Sequence, residues 1–530
     1  MNPSRAELLQ RLEERSEPWD IIVIGGGATG LGTAVDAASR GYRTLLLEQG
    51  DFASGTSSRS TKLIHGGVRY LRQGNLVLVR EALRERRLLL ENATHLVHDV
   101  PFVIPLYRWW ERLFYGIGMA LYDLLSGVHG LGHSRHLSRE ETIDLVPSVR
   151  RQNLRGGIVY HDGQFDDARL AVCLARTVAD LGGTPLNYMK VTALAKTSGR
   201  MTTVTAIERE SGREYTLSGR AVVNATGVFC DQVRRMDEPS CPPLVTPSQG
   251  AHLVFDRSFL PGSCAVMIPH TDDGRVFFAI PWYDHVIVGT TDTPIGSVTP
   301  EPAPLPDEVD FLLAHAGRCF EHQPARSDVL SCFAGLRPLA GGKSGLTTSK
   351  LSREYLLSVS VSGLVTITGG KWTTYRSMAV AAVDAAAARG GLDSRPSVTR
   401  SLRLHGWEPP SSPEGSLDRY GSDRGLLEQL TGEHPSWSER LHPSLPYTAG
   451  EIVWGVRYEW ARNLEDVLAR RTRALFLDAG ASREIAPGVA ALMAAELGLD
   501  QAWQSRQLES FNAVAAQYLP VERAVKKDRP

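Results

Sequence analysis

Residues 20–32, DIIVIGGGATGLG, decide how this chain folds. The run to Ile24 is apolar and β-type and passes directly into glycine, which predicts a strand stopped by a tight turn. Gly25, Gly27 and Gly30 fit GxGxxG. The first permits the turn, the second lets the backbone approach a pyrophosphate, and the third lets helix and strand pack closely. The alanine-rich stretch to Arg40 predicts a helix whose free N–H groups and dipole favour phosphate charge at its start. A second strand, 44–47, delivers Glu48 to accept hydrogen bonds from a ribose diol, and an acidic group there disfavours the 2′-phosphate of NADP. GxGxxG by itself is weak evidence; with a strand before it, a helix after it and Glu48 beyond, it reads as a dinucleotide site.

Two more strand-like runs end at glycine. Residues 221–224 lead into Ala225-Thr226-Gly227, and 364–368 lead into Gly369-Gly370-Lys371 ahead of a helix predicted over 373–389. Three such junctions so far apart predict one α/β, Rossmann-like domain assembled from discontinuous segments, taken as 19–100, 150–245 and 330–390. Residues 250–289 are rich in alternating β-type residues and predict an inserted antiparallel-sheet substrate or cap domain, taken as 101–149 and 246–329. The proline- and serine-rich WEPPSSPEG at 407–415 reads as part of a linker, 391–415, and helical periodicity beyond it predicts a C-terminal helical domain over 416–520.

Composition narrows the function class. The 530 residues are 42% hydrophobic and 22% charged, enough for two or three cored domains, and 58 basic against 59 acidic residues leave a net charge of -1. No global field favours nucleic acid, so none is expected as a partner. Six cysteines lie irregularly with no CxxC pair, which argues against zinc, iron–sulfur clusters or a disulfide framework, and no metal is expected. The amino terminus reads as a short charged amphipathic helix without the apolar core of a signal peptide, so a cytoplasmic location is expected. Residues 108–127, RWWERLFYGIGMALYDLLSG, suit a headgroup boundary, with Trp109, Trp110 and Phe114 beside Arg108 and Arg112. Composition alone nonetheless favours a buried helix there.

The choice of cofactor rests on residues 54–71, SGTSSRSTKLIHGGVRYL. Hydroxyls, glycines, a lysine and a histidine follow the ribose-binding strand directly. A nicotinamide enzyme has no obvious need for them, whereas an extended FAD needs donors along its pyrophosphate and ribityl oxygens.

The chain resembles the FAD-dependent glycerol-3-phosphate dehydrogenase family, within the flavoproteins related to D-amino-acid oxidase. The motifs are IVIGGGATGLG, TSSRSTKLIHGGVRYL, VVNATG, IPWYDHVIVGTTDT, FAGLRPL and GGKWTTYR, covering residues 20–376, with a looser echo in EIVWGVRYEWARNLEDVLARRTRAL. The resemblance implies oxidation of sn-glycerol 3-phosphate to dihydroxyacetone phosphate, electrons passing to a membrane quinone, and peripheral association with the inner face of the cell membrane. It places Arg69, Tyr70, His252, Arg337, Arg353, Lys371 and Thr373 in the substrate pocket. It places Gly25, Gly27, Gly30, Glu48, Thr56, Ser57, Ser58, Lys62, His65, Ala225, Gly227, Gly370, Lys371 and Thr373 along the FAD track. The loose carboxy-terminal match leaves a homodimer as an open alternative.

The chemistry of these residues agrees with that assignment. A phosphate monoester carries nearly two charges, and guanidinium groups match its oxygens in pairs, so Arg337 and Arg353 are natural anchors. Lys371, at the mouth of a predicted helix, puts a positive end where negative charge would gather on the flavin. Removing the hydroxyl proton calls for a group titrating near neutrality; His252, in the substrate domain, is the first choice, and His65 is expected to hydrogen-bond the cofactor. His252, Arg337 and Lys371 are therefore the expected catalytic set. The family's cysteine-rich electron-transfer extension has no counterpart after Cys332, which favours a quinone or oxygen over an iron–sulfur subunit as acceptor. A glycerol-3-phosphate oxidase making hydrogen peroxide, an amine or amino-acid oxidase, and a flavin-binding protein without turnover are the alternatives.

Overall fold

The computed structural model describes residues 3–67, 75–127, 130–269, 271, 276–340, 354–409 and 417–520. Strand Trp19–Ile24 is buried along its whole length and lies between Thr44–Leu47 and Glu214–Asn224, parallel to both. A strand with parallel neighbours covered on both faces has no solvent side, which is why it reads as an unbroken apolar run. The sheet continues outward to Val365–Gly369 and Tyr355–Val359 on one side and Thr184–Leu186 on the other. Val365–Gly369 runs parallel to Glu214–Asn224, so the three strand-to-glycine junctions come to lie side by side at the carboxyl ends. Helices Ala28–Ser39 and Tyr375–Gly390 pack on each other over this sheet. Hairpin Met189–Thr197 and Arg200–Glu208 extends it through Glu214–Asn224.

A second, ten-stranded sheet stands against the first. It is antiparallel apart from the pairing of Ala265–Ile268 with Val97–Leu106. Its spine is the long pairing of Val245–Asp256 with Val329–Ala340. Here the expected domain boundaries need correction. Leu63–Ile64, Gly156–Phe165, the start of Val97–Leu106 and nearly all of Val329–Ala340 fall in segments assigned to the nucleotide domain, yet all four strands hydrogen-bond into this second sheet. Hydrophobic alternation marks a strand but does not say which sheet accepts it.

The carboxy-terminal region is helical, with Arg424–Gly432, Ala449–Tyr458, Ala479–Leu497 and Gln501–Ala516 as its longer helices. Its core is continuous with the second sheet, taking in Trp282, Ile287 and Phe333. The linker is also corrected in part. Residues 391–409 do not span open solvent: Asn92 Nδ2 donates to the Thr399 and Arg400 carbonyls, Trp407 Nε1 donates to the Glu91 carbonyl, and Leu404 enters the nucleotide-domain core. Residues 410–416 lie outside the described residues.

Charge is buried where the helical region meets the nucleotide domain. Asp51 receives Arg470 and Arg471, each at 2.6 Å, Arg169 meets Glu459 at 2.6 Å, and Asp167 receives Lys62 at 2.7 Å and Arg473 at 3.2 Å. Every one of these side chains is at most 5% exposed, so these are desolvated pairs, unlike surface ion pairs.

Helix Glu111–Ser126 overturns the expectation that it is buried. Met119, Tyr122 and Ser126 face the protein, while Leu113, Ile117 and Leu124 are 69%, 63% and 76% exposed, beside Trp109 at 78%. Among the described residues no helix is long and apolar enough to cross a membrane.

Candidate active site

A cavity of about 390 Å³ opens between the carboxyl ends of the first sheet and the face of the second. Its wall takes in Gly25, Gly27, Glu48, Thr56, Ser57, His65, Ala225, Gly227, His252, Arg337, Gly370, Lys371 and Thr373, so residues far apart in sequence share one space.

The dinucleotide end is built by the glycine turn. Gly25 has φ +110, and a Cβ there would stand 2.7 Å from the Ala225 carbonyl oxygen, so only glycine lets the two junctions close on each other. Gly30 lies behind the turn, where helix Ala28–Ser39 packs; a Cβ on it would be 1.8 Å from the Gly25 carbonyl oxygen. Gly27 caps that helix without a side-chain hydrogen bond, leaving the anion-binding end to its backbone. Glu48 accepts from Gly26 N at 2.6 Å and Gly50 N at 2.8 Å, which fixes its carboxylate at the cavity wall. Burial raises the affinity of this carboxyl for its proton, and the two backbone donors work against that.

The polar loop forms the middle of the wall. Ser57 Oγ accepts from Ala28 N at 2.9 Å, Thr56 Oγ1 donates to the Leu336 carbonyl at 2.6 Å, and Trp372 Nε1 donates to the Ser57 carbonyl at 2.9 Å. Trp372, unmarked by any charge pattern in the sequence, ties this loop to the Gly370-Lys371 junction. Thr373 Oγ1 donates to the His65 carbonyl at 3.4 Å. Lys371 precedes the turn Trp372–Thr374 and helix Tyr375–Gly390, so its ammonium and the helix start share one end of the cavity.

Three residues of the expected cofactor track do not line the cavity: Gly30, which packs behind the turn, Ser58 and Lys62. Ser58 turns its hydroxyl to the Gly55 carbonyl, and Lys62 is fully buried on the far side of the loop, donating to the Ser58 carbonyl and Asp167 Oδ2, each at 2.7 Å. Lys62 Nζ also lies within 5.4 Å of the ring centroids of Trp282, Phe333 and Phe476. Its charge serves the seam with the helical region. Arg69, Tyr70 and Arg353 lie outside the described residues.

The opposite end of the cavity carries Arg337 and His252. Arg337 Nη1 donates to the Gln249 carbonyl at 3.3 Å and Nη2 to Thr290 Oγ1 at 3.0 Å, with Asp292 at 3.5 Å, and its side chain stays 21% exposed. His252 stacks on Phe333 with ring centroids 4.8 Å apart and shares a hydrogen bond of 3.0 Å between Nε2 and Thr61 Oγ1. Burial, then the charges of Lys62 and Arg337, hold its pKa well below the usual imidazole range, so it is neutral at pH 7. Thr61 was overlooked in the sequence, although it sits in the same hydroxyl-rich motif as Thr56 and Ser57. The arrangement can hold a dinucleotide at one end and an anion at the other, with a neutral imidazole in the same wall.

Comparison with known proteins agrees with this geometry. A family model described as FAD dependent oxidoreductase matches residues 20–376, and one described as the C-terminal domain of alpha-glycerophosphate oxidase matches 366–504. The mitochondrial glycerol-3-phosphate dehydrogenase of Macaca fascicularis is 39% identical over 544 residues, covering 96% of this chain and 74% of that one. The mitochondrial glycerol-3-phosphate dehydrogenase SDP6 of Arabidopsis thaliana is 39% identical over 538 residues, covering 93% and 85%. The crystal structure of the glycerol-3-phosphate dehydrogenase from Bacillus halodurans, complexed with FAD, superposes with a TM-score of 0.79 at 29% identity, covering 97% of this chain and 98% of that one. The helix start at Gly27, which has no side chain of its own in the way, the fixed Glu48 carboxylate and the hydroxyl-lined loop fit FAD, and the chain belongs to the FAD-dependent oxidoreductases, within the glycerol-3-phosphate dehydrogenase family.

Proposed function

We propose that the protein oxidises sn-glycerol 3-phosphate to dihydroxyacetone phosphate, bound FAD supplying the two-electron acceptor, and passes the electrons to a quinone at the inner face of the cell membrane. The observation that carries this reading is the union in one cavity of a dinucleotide wall with Arg337 and Lys371. A guanidinium at the end away from the dinucleotide wall suits the paired oxygens of a phosphate monoester, and an ammonium at the helix start suits charge gathered at the cofactor end. In this reading Arg337 holds the phosphate and Lys371 supports negative charge at the helix start. His252, unprotonated at neutral pH, takes the hydroxyl proton, with Thr61 fixing the ring. Burial keeps the imidazole in its accepting form but makes it a weaker base than a group titrating near neutrality, so in this reading proton transfer accompanies loss of the hydride. The test is an anaerobic spectrum of the FAD-loaded protein before and after sn-glycerol 3-phosphate. Loss of the flavin band near about 450 nm is expected; a band that persists rules out the substrate.

The membrane half of the proposal rests on helix Glu111–Ser126. Its exposed residues Leu113, Ile117 and Leu124 follow helical spacing on one face, with Trp109 and Trp110 at its start and Arg108 and Arg112 beside them. A contiguous exposed apolar face rimmed by basic residues suits burial at a lipid headgroup boundary. Replacing Leu113 and Ile117 together by Glu is expected to weaken sedimentation with anionic vesicles by at least about tenfold, with bleaching by glycerol 3-phosphate unchanged. Unaltered sedimentation would remove this helix from the contact.

The match of residues 366–504 to a domain named for an oxidase supports a second reading, in which oxygen is the acceptor. Hydrogen peroxide formed in stoichiometric yield under air, with no rate gain from a soluble quinone, would select it.

A further inference from the structure

We infer that Glu308, which does not line the cavity, is a positioning residue that sets the orientation of the Arg337 anchor. The inference rests on the reading of Arg337 as the phosphate anchor given above.

Glu308 is the third residue of helix Pro306–Cys319 and is only 4% exposed. Among the described residues it has no cationic partner. Its carboxylate is instead saturated by four neutral donors: Oε1 accepts from Thr291 Oγ1 and Thr293 Oγ1, each at 2.7 Å, and Oε2 from Gln249 Nε2 at 2.7 Å and Leu305 N at 2.9 Å. A buried carboxylate with no counter-charge costs desolvation energy, and four short bonds offset that cost only if all four donors are held in place. The direction of constraint therefore runs from Glu308 to its donors.

Those donors carry the partners of Arg337. Gln249 gives Glu308 its side chain and gives Arg337 Nη1 its carbonyl. Thr291 and Thr293 bracket Asp292, which stands 3.5 Å from Arg337 Nη1 and is itself bonded by Ser248 Oγ. Thr290, next along, accepts from Arg337 Nη2 at 3.0 Å. Thr291 Oγ1 also accepts from Ala251 N at 2.8 Å, which commits its hydroxyl proton to Glu308. Between the two shoulders lies Gly250, where a Cβ would stand 2.1 Å from Arg337 Nη2, so the guanidinium rests directly on backbone. One carboxylate thus ties strand Val245–Asp256 to the Gly289–Thr293 turn, and Arg337 spans that junction. A guanidinium must meet phosphate oxygens in its own plane to bond them in pairs, so tilting this frame weakens substrate binding before it touches the flavin end.

The test is steady-state kinetics of the FAD-loaded protein with a soluble dye acceptor. Glu308→Gln keeps the size but presents an amide N–H₂ to groups that are donors. It is expected to raise the KM for glycerol 3-phosphate about tenfold while kcat stays within about twofold and the flavin spectrum is unchanged. Thr293→Val, which removes one of the four bonds and keeps the carboxylate, should shift KM in the same direction by about threefold, and serves if Glu308→Gln folds poorly. Combined with Arg337→Ala, Glu308→Gln should add almost nothing to KM, because the group it positions has gone. An unchanged KM in both Glu308→Gln and Thr293→Val, with KM raised in Arg337→Ala, overturns the role of Glu308 and leaves the anchor standing. A KM that Arg337→Ala does not move overturns the anchor, and this inference with it. Equal loss of kcat and flavin content with KM constant would mark Glu308 as a stability residue only.

Discussion

Arg337→Ala is expected to raise the apparent KM for glycerol 3-phosphate by about 150-fold while FAD stays bound. The guanidinium is pre-set by the Gln249 carbonyl and Thr290 hydroxyl, so little ordering entropy is lost when a dianion arrives. Paired, charge-assisted bonds at such a site are worth about 3 kcal/mol, and about 1.4 kcal/mol is one decade in affinity. The loss has a second part. Asp292, now facing the guanidinium at 3.5 Å, would be left presenting its negative charge toward the phosphate. Arg337→Lys should recover only part of the effect, since one ammonium cannot reproduce two parallel N–H bonds. FAD content reads the other end of the cavity, among Glu48, Thr56 and Ser57, and should match the parent. A KM within twofold of the parent would take Arg337 out of the substrate site, and loss of FAD would show that it supports the cofactor wall.

The dinucleotide end was legible because its chemistry is local. Gly25, Gly27 and Gly30 fall at the fixed spacing of one turn, and Glu48 follows at a distance set by one helix and one strand. The side-by-side arrangement of the junctions at Gly25, Gly227 and Gly370 was legible too, since parallel strands must be linked by long crossovers. The second sheet was only half legible. Val329–Ala340 and Gly156–Phe165 look like any other strands, and nothing in their own residues says that Val245–Asp256 or Val97–Leu106 will accept their hydrogen bonds. Helix Glu111–Ser126 was misread because a buried amphipathic helix and an exposed interfacial one have the same composition; only the absence of a protein surface over Leu113 and Ile117 separates them. Charge was the least legible of all. Nothing in the sequence marks Arg470, Arg471 and Arg473 as buried, and Lys62 reads as a donor on a cofactor loop, because charged side chains are seldom buried unless paired. Their partners, Asp51 and Asp167, lie from 105 to 420 residues away, so no local pattern could announce the pairing.

Asp167→Ala should be the most destabilising single change at this seam. The carboxylate is fully buried and serves five donors: Lys62 Nζ at 2.7 Å, Ser60 N at 3.0 Å, Ser60 Oγ at 2.7 Å, Ala168 N at 2.9 Å and Arg473 Nη2 at 3.2 Å. Burial works to raise its pKa, and the charges of Lys62 and Arg473 more than cancel that, holding it below the ordinary carboxylate range. Removing it leaves the Arg473 cation, and the Lys62 amine whose pKa burial already pulls down to about 7, without their partner in a dry site, and breaking a buried pair from one side costs about 3–5 kcal/mol. A fall of roughly 5 °C or more in melting temperature follows. Function should suffer as well, because the same carboxylate fixes Ser60 just beyond Thr56 and Ser57, while Arg473 holds the Ser58 carbonyl from the helical region. FAD should therefore dissociate more readily from the variant than from the parent. The physical cause can be separated from simple loss of packing by adding Lys62→Met, which removes the amine left without its partner and places a thioether among the rings of Trp282, Phe333 and Phe476. If the cost is electrostatic, the double variant is more stable than Asp167→Ala alone, although it carries one more substitution. A double variant as unstable as the sum of its parts would mean that Asp167 matters for its hydrogen bonds to Ser60 and not for the charges it neutralises.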